Sequence, residues 1–480
     1  MDHSELRRFI EARWRDELTE RLVEYVRVPA KSPAFDSSWR AHGHLESVVR
    51  SGLAWGRAQA IAGLRIEIVA IDDRTPCLFF DVPATGGRDG SRSVLFYGHL
   101  DKQPEMEGWR EGFGPWLPRI ENGRLYGRGS ADDGYALYAA LTIIAAIDAQ
   151  GVARPRCVGL IETSEESGSP DLPAYLEMLA PRLGDVALVA GLDSGAGNYE
   201  QLWVTTSLRG LAGGLLSVEI LDEGVHSGAA SGIVPSSFRI ARQLLNRLDD
   251  PDSGRVLVDA LHAPIPGERI DQARTAGAIL GDMVWRQFPW VGCVHGEGAG
   301  AHAMPVTTDP VEAILNRTWR PALSVVGAAG LPLPDQAGNV LRPRTALKLS
   351  MRLPPTVDAE RAAAAMRSVL EQASPYGARV RFEPDHVASG WNAPPSAPWL
   401  VDAVDAASVS CFGRPAGWIG EGGTIPFMNM LGERFPQAQF LITGVLGPQS
   451  NAHGPNEFLH LEYATRLTEA VASIVTEVPS

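Results

Sequence analysis

The chain is sparing with cysteine, has no basic excess and carries no long apolar run. Each shortage removes a class of protein. Cys77, Cys157, Cys293 and Cys411 are scattered, with no CxxC pair among them. Buried thiols in a reducing compartment are expected, not a disulfide framework. Acidic side chains number 57 against 43 basic ones, a formal net charge of −14. Neither nucleic acid nor an anionic membrane is therefore expected as a partner. The run LTIIAAI at 141–147 is far too short to span a bilayer. The opening residues, MDHSELRRFIEARWRDELTERLVEYV, mix charges with apolar residues at helical spacing, and no apolar run follows Arg7-Arg8. That is not the pattern of an export signal, so a cytoplasmic location is the expectation. A GK[ST] phosphate loop and a G-x-S-x-G nucleophile elbow are both missing.

What is present suits a folded enzyme of more than one domain. The 480 residues exceed one ordinary core, and 45% are apolar with 21% charged. Short apolar runs alternate with helical patterns over the first 200 residues. VLFYG (94–98), CVGLIE (157–162) and VALVAGLD (186–193) read as buried strands. Residues 133–150 and 171–183 read as helices between them. This rhythm predicts an α/β sheet covered by helices. The middle changes character. GGLLSVEIL (213–221) and ALKLSMRL (346–353) read as strands with one polar face, with Lys348, Ser350 and Arg352 on that face of the second. The Gly/Pro/His-rich region from about 262 to 345 has few regular patterns. A helix at 358–372 and the strand ARVRFEP (378–384) follow, and WNAPPSAP (391–398) reads as a linker. FLITG (440–444) and a closing helix (461–478) restore the α/β pattern. The simplest architecture is one α/β domain, 1–207 and 390–480, interrupted by an α+β domain at 208–389.

Histidines and carboxylates recur where apolar strands end. His99 follows VLFYG, Asp132 sits in YGRGSADDG, and Glu165 and Glu166 sit in IETSEESGS. Asp193 ends VALVAGLD, and His453 lies in GPQSNAHGPNE after FLITG. Ligands of open α/β sheets bind outside the carboxyl ends of the strands. Taken singly, each residue has a plainer explanation. Asp132-Asp133 would cap the helix that follows, Glu165-Glu166 would be a solvated pair, and Asp193-Ser194-Gly195 would be a turn. Taken together they share one sheet edge, and no lysine or arginine run lies nearby to neutralise them. Clustered carboxylates are costly to bury without counter-charge. Two divalent cations would supply it, with one bridging carboxylate. In GRGSADDG the glycines precede a helix as a phosphate cradle would, but Asp132 and Asp133 would repel phosphate.

At these residues the chain resembles the M20 family of metallopeptidases, in its carnosinase-like, cytosolic non-specific dipeptidase branch. The matching blocks are YGHLDKQPE, GRGSADDG, EESGS, GLDSG, VHSGAASG, LSMRLPP, EGGTIP and GPQSNAHGPNE, in family order. The resemblance implies a zinc-exopeptidase-type mixed-sheet catalytic domain with an inserted lid and dimerisation domain. It implies that His99 and Asp193 hold one metal, Glu166 and His453 the other, and that Asp132 bridges them. Asp101 would orient His99, and Glu165 would be the general base. The Asp132–Asp133 peptide would be cis. His226 would reach the partner's site in a homodimer and stabilise the oxyanion. Arg352 would hold the substrate carboxylate, with Asn339, His386, Glu421, Gly422, Gly423 and Thr424 around the substrate. The metals would be Zn2+, with Mn2+ or Co2+ also admitted by the ligand set.

The implied reaction is hydrolysis of the amide bond of a dipeptide-like substrate with a free carboxylate, by a metal-activated water. N-acyl- and N-carbamoyl-amino-acid hydrolysis are alternatives within the family. A non-catalytic metal-binding dimer scaffold is the alternative outside it. The chain departs from the branch at three places. Gly134-Tyr135 stands where a lysine usually follows the paired aspartates, Ser194-Gly195-Ala196-Gly197 follows the aspartate ligand, and Lys102 replaces a small apolar residue. These departures touch specificity, not the metal ligands.

Overall fold

A computed structural model describes residues 1–291, 303–424 and 426–479. Its contacts divide the chain into two compact units. The first comprises Met1–Thr206, Ala393–Ile419 and Met430–Ser480, the second Ser207–Asn392 and Gly420–Asn429. The principal strands, in chain order, are β1 (Arg65–Val69), β2 (Cys77–Val82), β3 (Arg92–His99), β4 (Arg156–Glu162) and β5 (Asp185–Gly191). They continue with β6 (Gly210–Glu219), β7 (Ala322–Ala329), β8 (Arg344–Leu353), β9 (Arg379–Ala388) and β10 (Gln439–Ile442).

The first unit holds a six-stranded mixed sheet in the order β1-β2-β4-β3-β5-β10. β3 runs parallel to β4 and β5, and β10 parallel to β5, while β2 is antiparallel to both its neighbours. Strands covered on both faces need apolar residues at every position. β3 meets that demand, with every residue from Ser93 to His99 buried. Helix Ala136–Ala149 is buried at each residue from Ala136 to Ile147, as a helix apolar all round must be. Helix Leu461–Thr476 closes the unit. The Asp132–Asp133 peptide is cis.

The second unit holds a four-stranded antiparallel sheet in the order β7-β8-β6-β9. β8 alternates: Leu347, Leu349, Met351 and Leu353 are buried, while Lys348, Ser350 and Arg352 are more open. Helices Ser237–Leu245 and Ala359–Glu371 contribute to the core over the apolar face.

The region expected to have few regular elements departs from that expectation. It carries helices Gly267–Leu280 and Pro310–Thr318 as well as β7. Helix Gly267–Leu280 buries mostly small residues, Ala273, Ala276 and Gly277 among them, a composition that reads as loop. β7 is an edge strand, exposed over most of its length, so it shows no alternation of burial. Cys77, Cys157 and Cys411 are buried free thiols; Cys293 lies outside the described residues. Among the described residues no helix is long and apolar enough to cross a membrane.

Candidate active site

Three neighbouring parallel strands aim their carboxyl ends at one edge of the first unit's sheet. β3 ends on His99, the turn Glu165–Ser167 follows β4, and Asp193 follows β5. Asp132 lies in the turn that leads into helix Ala136–Ala149. His453 lies beyond β10 in a left-handed backbone conformation, φ 64°.

These residues meet. Nε2 of His99 lies 3.3 Å from Oδ1 of Asp132, 3.5 Å from Oδ2 of Asp193 and 3.9 Å from Oε2 of Glu165. Nε2 of His453 lies 2.9 Å from Oδ2 of Asp132 and 3.3 Å from Oε2 of Glu166. Asp132 therefore turns one oxygen toward each histidine. Two sets of candidate ligands result, His99 with Asp133 and Asp193, and Asp132 with Glu166 and His453. His99 is wholly buried, while the His453 side chain is 53% exposed, so the cluster is open to solvent on the His453 side.

The supporting bonds explain the geometry. Nδ1 of His99 faces the carbonyl of Asp101 at 3.1 Å and its Oδ1 at 3.5 Å. The Asp101 carboxylate also accepts the amides of Glu165 and Glu166 at 3.1 and 3.0 Å. It thus steadies the glutamate turn as well as the imidazole. Gln103 donates Nε2 to Oε2 of Glu166 at 2.6 Å.

The electrostatics identify what the cluster needs. Burial raises the pKa of Glu165, Glu166 and Asp193, and neighbouring carboxylates add to the rise in each. Burial acts the same way on Asp132, but His453 and His99 outweigh it and bring that carboxyl below its usual range. Burial opposes charge on His99, but bonds to Asp101, Asp132 and Asp193 prevail and raise its pKa well above the ordinary imidazole value. Among the described residues no lysine or arginine forms an ion pair with Asp132, Glu165, Glu166 or Asp193. A mixed set of imidazoles and repelling carboxylates, short of counter-charge, fits a pair of divalent cations. His99, Asp132, Glu166, Asp193 and His453 are the residues that could hold them.

The other expected site residues belong to the second unit. His226 is exposed and its Nδ1 accepts the amide of Gly228 at 3.1 Å. Asn339 is exposed and its carbonyl accepts the amide of Ser227 at 2.9 Å, so it neighbours His226. Arg352 donates Nη1 to Oγ1 of Thr424 at 3.1 Å, and Thr424 donates in turn to the carbonyl of Arg209 at 2.6 Å. Glu421 ends the strand Gly417–Glu421, and Gly422 and Gly423 connect it to Thr424; burial raises the Glu421 carboxyl above its usual range. His386 is exposed at a bulge in β9.

Sequence reasoning left two contributors without a role. Asp133 stands within ligand distance of His99 and Asp193, and Gln103 holds Glu166. Asp133 was readable as a cap only, yet Tyr135 occupies the N-cap position of the helix. Gln103 carried no signal beyond its nearness to His99.

The signature of Peptidase family M20/M25/M40 matches residues 95–477. The chain is similar to a cysteinylglycine-S-conjugate dipeptidase of Corynebacterium striatum, 26% identical over 378 residues that cover 76% of each protein. Its fold is similar to that of human carnosine dipeptidase 1, with TM-score 0.78, 21% identity, and coverage of 100% of this chain and 99% of that one. The dipeptidase Dug1p of Saccharomyces cerevisiae gives TM-score 0.76 at 21% identity, with the same coverage. With acidic and histidine side chains gathered at the ends of parallel strands, and the family signature spanning most of its length, the chain belongs to peptidase family M20/M25/M40.

Proposed function

We propose that this protein hydrolyses the amide bond of dipeptides or close analogues that carry a free carboxylate. The observation that carries the reading is Asp132, whose two oxygens face His99 and His453 within a cluster short of positive charge. When bound, two divalent cations would supply Lewis-acid polarisation of the scissile carbonyl and acidify a water. His99 and Asp193 would hold one, Glu166 and His453 the other, and Asp132 both. Zinc suits this ligand set best, and manganese or cobalt would also be accepted.

The chain's own residues would do the rest. Glu165, buried beside carboxylates, has a raised pKa, which suits a group that takes a proton from water and returns it to the leaving amine. Arg352 would grip the substrate carboxylate, since a guanidinium offers a planar fork of donors. Glu421 would pair with the substrate's free amino group. His226 would serve as an oxyanion donor in the site of a second copy, where help counts most as charge develops. The first unit is then the catalytic domain, and the second the lid and dimerisation domain of a cytoplasmic homodimer.

Metal analysis of the purified protein, coupled to a panel of dipeptides, N-acyl- and N-carbamoyl-amino acids, tests this. Two metals per chain and turnover of dipeptides above the other classes are expected. A metal-loaded protein inert toward every amide would end the reading.

A further inference from the structure

Arg128 and Glu457 have no role in the chemistry proposed above, yet they lie against it. Their side chains are 1% and 0% exposed, and Nη1 of Arg128 stands 2.6 Å from Oε2 of Glu457. A buried ion pair is by itself weak evidence of a stabilising role, because an apolar pair of like volume often serves as well. What sets this pair apart is the destination of its remaining atoms. Oε1 of Glu457 accepts the amides of Ala131 at 3.1 Å and Asp132 at 3.3 Å. Arg128 donates Nη2 to the carbonyl of Gly454 at 2.9 Å and Nε to that of Pro104 at 3.1 Å. Three loops distant in sequence are therefore tied to one pair of side chains. One carries Asp132. The second carries His453, next to Gly454. The third carries Gln103, next to Pro104, and Gln103 holds Glu166.

Those three dependants make up one of the two candidate ligand sets, Asp132, Glu166 and His453. The other set is supported differently. His99 is the last residue of β3, and its amide and ring are held by Asp133 and Asp101. Asp193 stands two residues beyond the end of β5. Sheet pairing fixes those strand ends without help from Arg128.

We propose that Arg128 and Glu457 are a positioning pair chiefly for the Asp132–Glu166–His453 set, all of whose members hang on the pair, and so govern the affinity of one of two metal positions more than the other, which shares only Asp132. The inference rests on the two-metal reading of the site. Its physical basis is geometric. Only a guanidinium presents donors in several directions from one rigid plane, and only a carboxylate can accept from that plane on one oxygen and from two amides on the other. Glu457→Gln keeps the shape but must turn an NH2 toward the guanidinium or toward the two amides. Arg128→Lys keeps the charge but loses the fork that reaches Gly454 and Pro104.

The test is a Zn2+ titration of the full chain in competition with a chromophoric chelator, which yields two stepwise affinities. In Glu457→Gln and in Arg128→Lys, one affinity should fall by roughly 10- to 100-fold, the range for partners that orient metal ligands. The other, which shares only Asp132 with that set, should fall by less, under about 10-fold. Two reference variants assign the steps. His453→Ala strips one set and Asp193→Asn the other, so the position better preserved in Glu457→Gln must be the one that survives in His453→Ala. Circular dichroism verifies folding, and if Glu457→Gln does not fold, Arg128→Lys decides alone. Equal weakening of both steps, no weakening, or a match to Asp193→Asn overturns the inference. A wild-type chain that binds fewer than two zinc ions overturns the two-metal reading beneath it, a separate and distinguishable result.

Discussion

Oδ2 of Asp133 accepts the backbone amide of His99 at 3.3 Å. The bond pins the end of β3 to the turn that carries Asp132. Space for it comes from Gly98. A methyl group at that position would stand 2.6 Å from Oδ2 of Asp133 and 2.5 Å from the Cβ of Ala136, distances no packed carbon tolerates.

Gly98→Ala must therefore displace Asp133 or the start of helix Ala136–Ala149. Overpacking of this kind costs about 1–3 kcal/mol. The expected outcome is a lower unfolding midpoint in denaturant and weaker metal retention in the same variant. Wild-type values for both would show that the turn has slack which the geometry does not reveal.

Glu165→Gln separates chemistry from metal binding. The substitution keeps the shape and removes the proton acceptor. It should lower kcat by roughly 10^2- to 10^4-fold, the usual worth of a positioned acid–base group, with metal content unchanged. Steady-state kinetics beside metal analysis reads both. Normal turnover would take Glu165 out of the mechanism.

Arg352→Ala addresses the substrate carboxylate. Arg352 is on the more open face of β8, and among the described residues its guanidinium bonds Thr424 through Nη1 alone, which leaves further donors. Loss of a charge-assisted contact is worth about 1.5–3 kcal/mol, roughly a 10- to 100-fold rise in KM. The rise should appear for dipeptides and vanish for substrates whose carboxylate is already amidated. Unaltered dipeptide kinetics would remove Arg352 from substrate binding.

Much of this was legible because of where the chemistry sits. Buried parallel strands read as short apolar runs, and VLFYG, CVGLIE and VALVAGLD correspond to β3, β4 and β5. Residues that follow such runs are brought to one edge by the sheet itself, so His99, Glu166 and Asp193 could be grouped from sequence order. Asp132 and His453 lie in irregular turns, where nothing periodic marks them; their place in loops near the same apolar strands groups them with the others, and the family resemblance implies their metal roles. Side chains that act through backbone groups were harder still. Lys102, which departs from the family pattern, is wholly buried and donates Nζ to the carbonyls of Tyr25 at 2.7 Å and Val28 at 2.8 Å. It satisfies carbonyls at the end of helix Thr19–Val26. No local pattern could reveal that, because its partners are far off in sequence and carry no side-chain signal. β7 and helix Gly267–Leu280 were missed for the related reason that small or exposed residues leave no stripe.

Removal of metal should act on stability as well as on activity. Without metal, among the described residues Asp132, Glu165, Glu166 and Asp193 have only imidazoles as counter-charge. A ligand at a hundred times its dissociation constant stabilises the folded state by about 2.7 kcal/mol per site. Treatment with EDTA should abolish turnover and lower the melting temperature, and added Zn2+ or Mn2+ should restore both. Activity that persists after verified metal removal would favour a nucleophilic hydrolase instead.

Glu162 gives the stability a pH dependence with a definite sign. Burial raises its carboxyl from 4.5 to about 7, although Tyr97, Ser169 and Ser164 all offer it hydroxyl partners, at 2.5, 2.8 and 3.0 Å. A carboxyl whose folded pKa lies above its unfolded one binds more protons in the native state across that interval. Its contribution is then present below the unfolded value and is lost as pH rises through the folded one. The loss between pH 4.5 and about 7 amounts to about 3 kcal/mol. Glu162→Gln is neutral throughout and keeps a partner for the hydroxyls, so that loss should disappear from it. The measurement is chemical denaturation of metal-loaded wild type and variant at a series of pH values across the interval. The stability of the variant relative to wild type should climb with pH and level off once Glu162 is ionised. A difference that stays flat would mean that Glu162 is already charged in the folded protein at the lower pH, with its hydroxyl partners outweighing burial.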